Sequence, residues 1–321
     1  MSAPKITVLD GHTLNPGDLS WAPLEALGAV TLYERTPPEL VVERARDARI
    51  LITNKAVISA AALAELPALR YIGVTATGTN IVDRAAARQR GIVVTNVPSY
   101  GADSVAEHTL SLMLDAAKHL GAHTAAVRAG GWSRQPDFSF SVGEIRLLAQ
   151  RTLGIVGLGA IGRRVAELAR AFKMRILAAR RQGGSAPELE GVRWCELGEL
   201  VESADFLSLH CPLSEETQSL VNAALLSRMR PRAVLINTSR GGLIDEAALA
   251  QALRAGRIAG AYLDVLSVEP PPADHPLLAL PNCWITPHIA WASLEARTRL
   301  LEVAVDNVRA FLAGAPTNVV P

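Results

Sequence analysis

The residues with the most chemical content lie between Thr152 and Arg181. An apolar strand, Leu153-Gly-Ile-Val156, runs into Gly157-Leu-Gly159-Ala160-Ile161-Gly162, and Ile161, Val165, Leu168 and Ala169 then keep helical spacing. A tight glycine turn between strand and helix lets a pyrophosphate lie against bare backbone N–H groups at the positive end of a helix dipole. That is how dinucleotides are held, and the strand-turn-helix context separates this motif from glycines that only mark turns. The second strand ends on Arg180-Arg181. The residue there usually is an acid that accepts hydrogen bonds from the ribose hydroxyls. Arginine suits a 2′-phosphate instead, because that group carries roughly −1.5 to −2 charges near neutral pH and a guanidinium can grip it bidentately. The expected cofactor is NADP(H), with NAD(H) possible; a solvated surface arginine at a strand end is the alternative.

The elements that must position this turn follow a simple alternation. Short β-rich runs alternate with helical patterns along the chain, as parallel sheets covered by helices require. A first series comprises Lys5–Asp10, Ala29–Tyr33, Arg49–Thr53, Arg70–Val74 and Gly91–Thr95, with helical stretches at Glu39–Asp47 and Ile81–Arg90. The turn-rich Asn96-Val-Pro-Ser-Tyr-Gly101 reads as a hinge before a long helix starting near Asp103-Ser104. A second series contains Thr152–Val156, Met174–Ala179, Asp205–His210, Ala233–Asn237, Ile258–Asp264 and Cys283–Thr286, followed by a final helix, Ala292–Leu312. Six strands with helices between them fit a doubly wound dinucleotide domain. The expected fold is α/β with two Rossmann-like domains: residues 100–290 bind the nucleotide, and residues 1–99 with 291–321 form a flavodoxin-like substrate domain completed by the C-terminal helix. An active site is expected in the cleft between them, at the carboxyl ends of the strands.

Composition narrows the partners. The chain has 321 residues, 49% of them apolar, which suits two globular domains with cores of their own. Its 32 Lys+Arg nearly cancel 31 Asp+Glu, so no basic field points to nucleic acid or an anionic membrane. Cys195, Cys211 and Cys283 form no CxxC pair, which argues against a zinc site or a disulfide framework. The N-terminal sequence runs straight into a strand and no apolar run approaches the roughly 20 residues of a membrane span, so a cytoplasmic protein is expected.

Three further segments fall where later strands deliver residues to the cleft: Asn237-Thr238-Ser239-Arg240-Gly-Gly-Leu-Ile-Asp-Glu246, Leu263-Asp264-Val-Leu-Ser-Val-Glu269-Pro, and Thr286-Pro-His288-Ile-Ala-Trp291-Ala-Ser. Together with the glycine turn they resemble the D-specific 2-hydroxyacid dehydrogenase family, over nearly the whole chain. Asn96-Val-Pro-Ser-Tyr-Gly-Ala-Asp-Ser-Val-Ala-Glu-His108 and His210-Cys211-Pro212-Leu213 fit the same family. Pro287-His288-Ile-Ala-Trp291-Ala-Ser-Leu-Glu-Ala-Arg297 looks like its glycerate dehydrogenase or hydroxypyruvate reductase branch.

The resemblance implies a reaction in which hydride reaches a ketone carbon while a proton reaches its oxygen, next to a carboxylate. Such a substrate needs an anion binder and an acid. Arg240 matches the family arginine that holds the carboxylate and polarises the ketone. His288 matches the general acid/base, whose unperturbed pKa of about 6.5 suits proton exchange near neutral pH. Glu269 matches the glutamate that orients it, although Ser267 and Val268 depart from the usual pattern, where another acid is common. Asp264 matches the acceptor for the nicotinamide carboxamide, with a structural cap as the alternative. His210, Cys211, Pro212, Thr217, Thr238, Ser239 and His288 fall with the glycine turn among the expected cofactor contacts. Thr77 and Gly78, with Ala76, sit in a loop like the one whose N–H groups bind the substrate carboxylate; Lys55 and Ala56 are further candidates. Trp291 reads equally as pocket wall or core. No metal is expected. The loop Gly131–Phe140 lies where the family pairs two subunits, which implies a homodimer. The expected activity is NADPH-dependent reduction of glyoxylate and hydroxypyruvate to glycolate and D-glycerate. The alternatives are another D-2-hydroxyacid such as D-lactate, and a dinucleotide-sensing interaction protein resembling the corepressors built on this fold.

Overall fold

The computed structural model describes residues 3–180 and 189–321, so Arg181 lies outside the described residues. The chain divides into two compact units, residues 1–101 with 292–321, and residues 102–291. Each is an α/β body around one parallel sheet.

In the first unit the strands are β1 (Lys5–Val8), β2 (Ala29–Leu32), β3 (Ile50–Thr53), β4 (Tyr71–Val74) and β5 (Val93–Thr95), in the order β2-β1-β3-β4-β5. This is the flavodoxin-like order. The central strands β3 and β4 are buried along their whole length, as strands covered on both faces must be. The helix Leu294–Leu312 returns to this unit: the buried Arg297 grips the carboxylate of Asp18 through two 2.7 Å bonds, and Asn307 donates to Asn96 O. The stretch Glu39–Asp47, expected as one helix, is a 3₁₀ turn, Pro38–Leu40, followed by a short helix, Val41–Ala45. Pro37 and Pro38 stand at the cap and first position, where proline is tolerated because the N–H there has no partner within a helix.

Among its described residues the second unit has seven strands: β6 (Thr152–Val156), β7 (Arg175–Ala179), β8 (Val192–Cys195), β9 (Phe206–Leu209), β10 (Val234–Asn237), β11 (Gly260–Leu263) and β12 (Cys283–Ile285). Their order, β12-β11-β10-β9-β6-β7-β8, is the doubly wound dinucleotide arrangement with one strand added at an edge. Strand β8 is the one absent from the sequence reading: it is a partly exposed edge strand whose residues Val192-Arg-Trp-Cys195 carry no long apolar run. Side chains alternate across the sheet. Leu207, Leu209 and Leu235 join the core under Leu197–Ser203 and Glu246–Arg254, whereas Phe206, Val234 and Ile236 join that under Ala102–Lys118 and Ala160–Ala171. Asn222 and Asp245 accept N–H bonds at the starts of Ala223–Arg228 and Glu246–Arg254, caps worth about 1 kcal/mol each. Among the described residues no helix is long and apolar enough to cross a membrane.

Candidate functional site

The glycine turn leaves β6 as the sequence requires, and each glycine has its own reason. Gly157 has φ +98°, and a Cβ there would lie 2.5 Å from Cys211 N. At Gly162 a Cβ would lie 2.1 Å from Gly157 O, so only glycine lets the helix Ala160–Ala171 close against the strand. Gly159 is different: a Cβ there would meet nothing within 4 Å. The space beside it lies at the helix N-terminus, where the first N–H groups have no partner within the helix. Ala160 is exposed and Ile161 half-buried at this end. An open cradle at the second glycine fits a pyrophosphate passing close to the backbone.

The neighbouring strand ends converge on this turn. His210 N donates to Val156 O at 2.8 Å, and the His210 ring shares a 2.8 Å hydrogen bond with Ser208 Oγ. Burial pushes the His210 imidazole down to about 4, so it is neutral at pH 7. Cys211 is buried and its carbonyl accepts from Ser239 Oγ at 2.8 Å. Pro212 is exposed, and its carbonyl accepts from Thr217 Oγ1 at 2.7 Å, which commits the Thr217 hydroxyl proton to its own turn. Thr238 is buried, with its hydroxyl 3.2 Å from that of Thr109. Arg180 follows β7, is exposed, and is tied through its backbone N–H to Cys195 O.

The chemical residues sit on three adjoining turns of the same unit. The Asn237 side chain donates to Arg240 O and accepts from Ser239 N, folding β10 into a turn that leaves the Arg240 guanidinium exposed. At Gly241 a Cβ would lie 2.0 Å from the Leu266 carbonyl carbon, so this glycine lets the arginine turn press on the turn that carries Glu269. That turn is pinned by two carboxylates: Glu269 Oε1 accepts from Leu266 N, and Glu246 Oε1 accepts from Ser267 N at 2.7 Å. Glu269 Oε2 meets His288 Nδ1 at 2.6 Å. Nδ1–H therefore faces the carboxylate, which leaves Nε2 as the nitrogen able to exchange a proton with a ligand.

His288 has φ +55°, a left-handed backbone that costs a non-glycine residue about 1–2 kcal/mol. Asp264, 1% exposed, holds the loop in that shape: its carboxylate accepts from Thr286 Oγ1 at 2.5 Å, Ile289 N at 2.9 Å and Ala290 N at 2.8 Å. The cap that stood as the alternative role for Asp264 is thus present. The Asp264 side chain is fully enclosed in this loop, and its carboxylate serves the three donors there. Trp291, half-buried, closes the segment.

In the first unit, Ala76, Thr77 and Gly78 follow β4, with Thr77 Oγ1 donating to Val97 O and Asn96 Nδ2 donating to Thr77 O. Lys55 is exposed and Ala56 buried. Sequence reasoning missed Asp10. Its buried carboxylate accepts the consecutive N–H groups of Asn54, Lys55 and Ala56 at 2.8, 2.5 and 2.8 Å, while Asn54 Nδ2 reaches Thr75 O. The only sequence signal was an acid closing the first strand.

Comparison with known proteins adds the family. Residues 110–290, more than half of the chain, match the family described as D-isomer specific 2-hydroxyacid dehydrogenase, NAD binding domain. The chain belongs to this dehydrogenase family. A hydroxypyruvate reductase from Blautia hydrogenotrophica is 43% identical over 98% of this chain and 99% of its own. A glycerate dehydrogenase from Methylorubrum extorquens is 42% identical over 90% of each chain. Among solved structures, the NADPH-dependent glyoxylate/hydroxypyruvate reductase of Sinorhizobium meliloti, in complex with NADP and malonate, superposes with a TM-score of 0.85 at 32% identity. It covers 99% of this chain and 97% of its own. This D-isomer specific 2-hydroxyacid dehydrogenase is therefore an oxidoreductase with a Rossmann domain for a nicotinamide dinucleotide.

Proposed function

We propose that this family member is an NADPH-preferring reductase of small 2-oxo acids, taking glyoxylate to glycolate and hydroxypyruvate to D-glycerate. The observation that carries the reading is the 2.6 Å pair of Glu269 and His288, with the turn of Glu269 packed against that of Arg240. The names of the relatives support the substrate class. The open cradle at Gly159 fits the dinucleotide, which when bound supplies the hydride. Arg240 holds the substrate carboxylate and draws electron density toward the ketone oxygen, and His288 gives that oxygen a proton from Nε2. Glu269 keeps the ring oriented, with Nδ1 toward the carboxylate and Nε2 free to face a ligand. Asp264 and the turns at His210–Pro212, Thr217, Thr238 and Ser239 form the proposed cofactor surroundings. Ala76, Thr77, Gly78 and Trp291 are the proposed further substrate contacts. Product analysis tests the reading: hydroxypyruvate should yield D-glycerate, and L-glycerate or no product would overturn it.

Two finer features have tests of their own. Arg180 supports the NADPH preference, since a guanidinium at the end of β7 suits a 2′-phosphate. Charge-assisted bonds of about 1.5–3 kcal/mol correspond to roughly 10–100-fold in affinity. Arg180→Asp should weaken NADPH binding by about that factor and NADH binding by less than about threefold; equal losses in a fluorescence titration would remove the argument. Glu269→Gln keeps a similar shape but removes the carboxylate that accepts from Nδ1 of His288. It should lower kcat by roughly 10–100-fold, as loss of orientation in a reacting group does, and an unchanged kcat would deny Glu269 this role.

The homodimer belongs to the same proposal. The helix Leu120–Arg128 has no buried residue, and the loop after it exposes Trp132 (52%) and Phe138 (91%). Apolar side chains clustered so densely on one segment suit a covering partner, for which a second copy is the proposed occupant.

A further inference from the structure

We propose that Ser104 and His108, one turn apart on the helix Ala102–Lys118, are positioning residues that hold the loop carrying His288. Each bonds a loop residue on one side of His288. Ser104 Oγ donates to Ala290 O at 2.6 Å, just beyond the histidine. His108 Nε2 lies 3.1 Å from Thr286 Oγ1, just before it. The i, i+4 spacing puts both side chains on one face of the helix, so the loop is clipped on each side of its left-handed residue.

Hydrogen bookkeeping gives the second clip a direction. The hydroxyl of Thr286 has one proton, and at 2.5 Å from Asp264 Oδ1 that proton goes to the carboxylate, which has none to give. The Thr286 oxygen is then the acceptor toward His108, whose proton sits on Nε2. A directed chain follows: His108 to Thr286, Thr286 to Asp264, with Asp264 also receiving Ile289 N and Ala290 N. His108 also stands 3.6 Å from Asp264 Oδ1, too long for a hydrogen bond. The backbone of the histidine loop is thereby fixed by one carboxylate, and that carboxylate is fixed from the long helix.

The consequence for catalysis rests on the proposed role of His288 as proton donor. A displacement on the order of 1 Å in a reacting group can cost about a hundredfold in rate, and the loop would lose two of its anchors without these side chains. His108→Phe should lower kcat for hydroxypyruvate by about 30-fold, with dinucleotide affinity within twofold of wild type. His108→Gln, which can put an amide donor near the same place, should recover most of that loss. Ser104→Ala should have a smaller effect of the same kind. Because the action is through His288, adding His108→Phe to His288→Asn should cost no further rate. A purely structural role would lower rate in both backgrounds and weaken dinucleotide binding as well.

A readout independent of turnover separates this inference from the functional reading. The Nδ1–H of His288 in its short bond to Glu269 should give a far-downfield proton resonance, assigned by its loss in Glu269→Gln. It should be lost or broadened in His108→Phe and return in His108→Gln. A wild-type protein that turns over no 2-oxo acid would overturn the functional reading and leave this resonance to decide the clamp. An unchanged resonance in His108→Phe, or equal rate losses in both backgrounds, would overturn the clamp.

Discussion

His288→Asn is expected to lower kcat for hydroxypyruvate reduction by about a thousandfold while leaving dinucleotide affinity within about threefold. The size follows from the proton. Positioned acid–base catalysis contributes roughly 10²–10⁴ in rate, and an asparagine amide cannot give up a proton near neutral pH. Nucleotide affinity is expected to survive because the glycine turn is built from β6, its following helix and the β9 end, not from the His288 side chain. Asparagine is also the apt replacement for the backbone: it tolerates the left-handed conformation that His288 adopts at φ +55°, so the loop need not refold. Steady-state kinetics with a parallel fluorescence titration checks both halves. A loss in kcat below tenfold would mean that the proton comes from elsewhere.

The second large effect belongs to Arg240. Arg240→Gln should reduce kcat/KM for glyoxylate by about 10³-fold or more, because it removes both a carboxylate anchor and a positive charge near the developing oxyanion. Arg240→Lys should restore little, since an ammonium cannot make the planar, two-pronged contact. The specific signature is a comparison of substrates. Glycolaldehyde has a carbonyl and no carboxylate, so its slow reduction should fall less on Arg240→Gln than that of glyoxylate. Equal losses for both compounds would mean that Arg240 acts on the carbonyl alone. Because Arg240 Nη1 also donates to Ser239 O at 2.7 Å, the substrate comparison, and not the rate loss alone, separates a chemical effect from a change in the turn.

Much of this was legible in the sequence because it is local. The strands of both sheets announce themselves as short apolar runs, and the reasons for glycine at 157 and 162 are the ones the motif predicts: a left-handed turn and a close strand-to-helix approach. The spacing of Asp264, Glu269 and His288 carried their resemblance, and the structure joins Glu269 to His288 directly. What escaped is tertiary. Asp10 reaches backbone groups 44–46 residues away, and Ser104 and His108 reach a loop 178–186 residues away, so no periodicity or short motif marks them. Strand β8 escaped for a different reason: an edge strand half in solvent needs no apolar run. Asp264 shows a third case. Its residue type and place suggested a ligand contact or a cap, and only the three donors around its carboxylate reveal that it fixes the shape of the histidine loop.

This dehydrogenase is proposed to reduce small 2-oxo acids with a preference for NADPH. The most direct test follows the oxidation of NADPH and NADH separately, at 340 nm, with glyoxylate, hydroxypyruvate, pyruvate and a bulky 2-oxo acid. The predicted result is turnover of glyoxylate and hydroxypyruvate, faster at low cofactor with NADPH than with NADH. Absence of turnover with every one of the four acids, or faster turnover with NADH than with NADPH, would contradict that proposal.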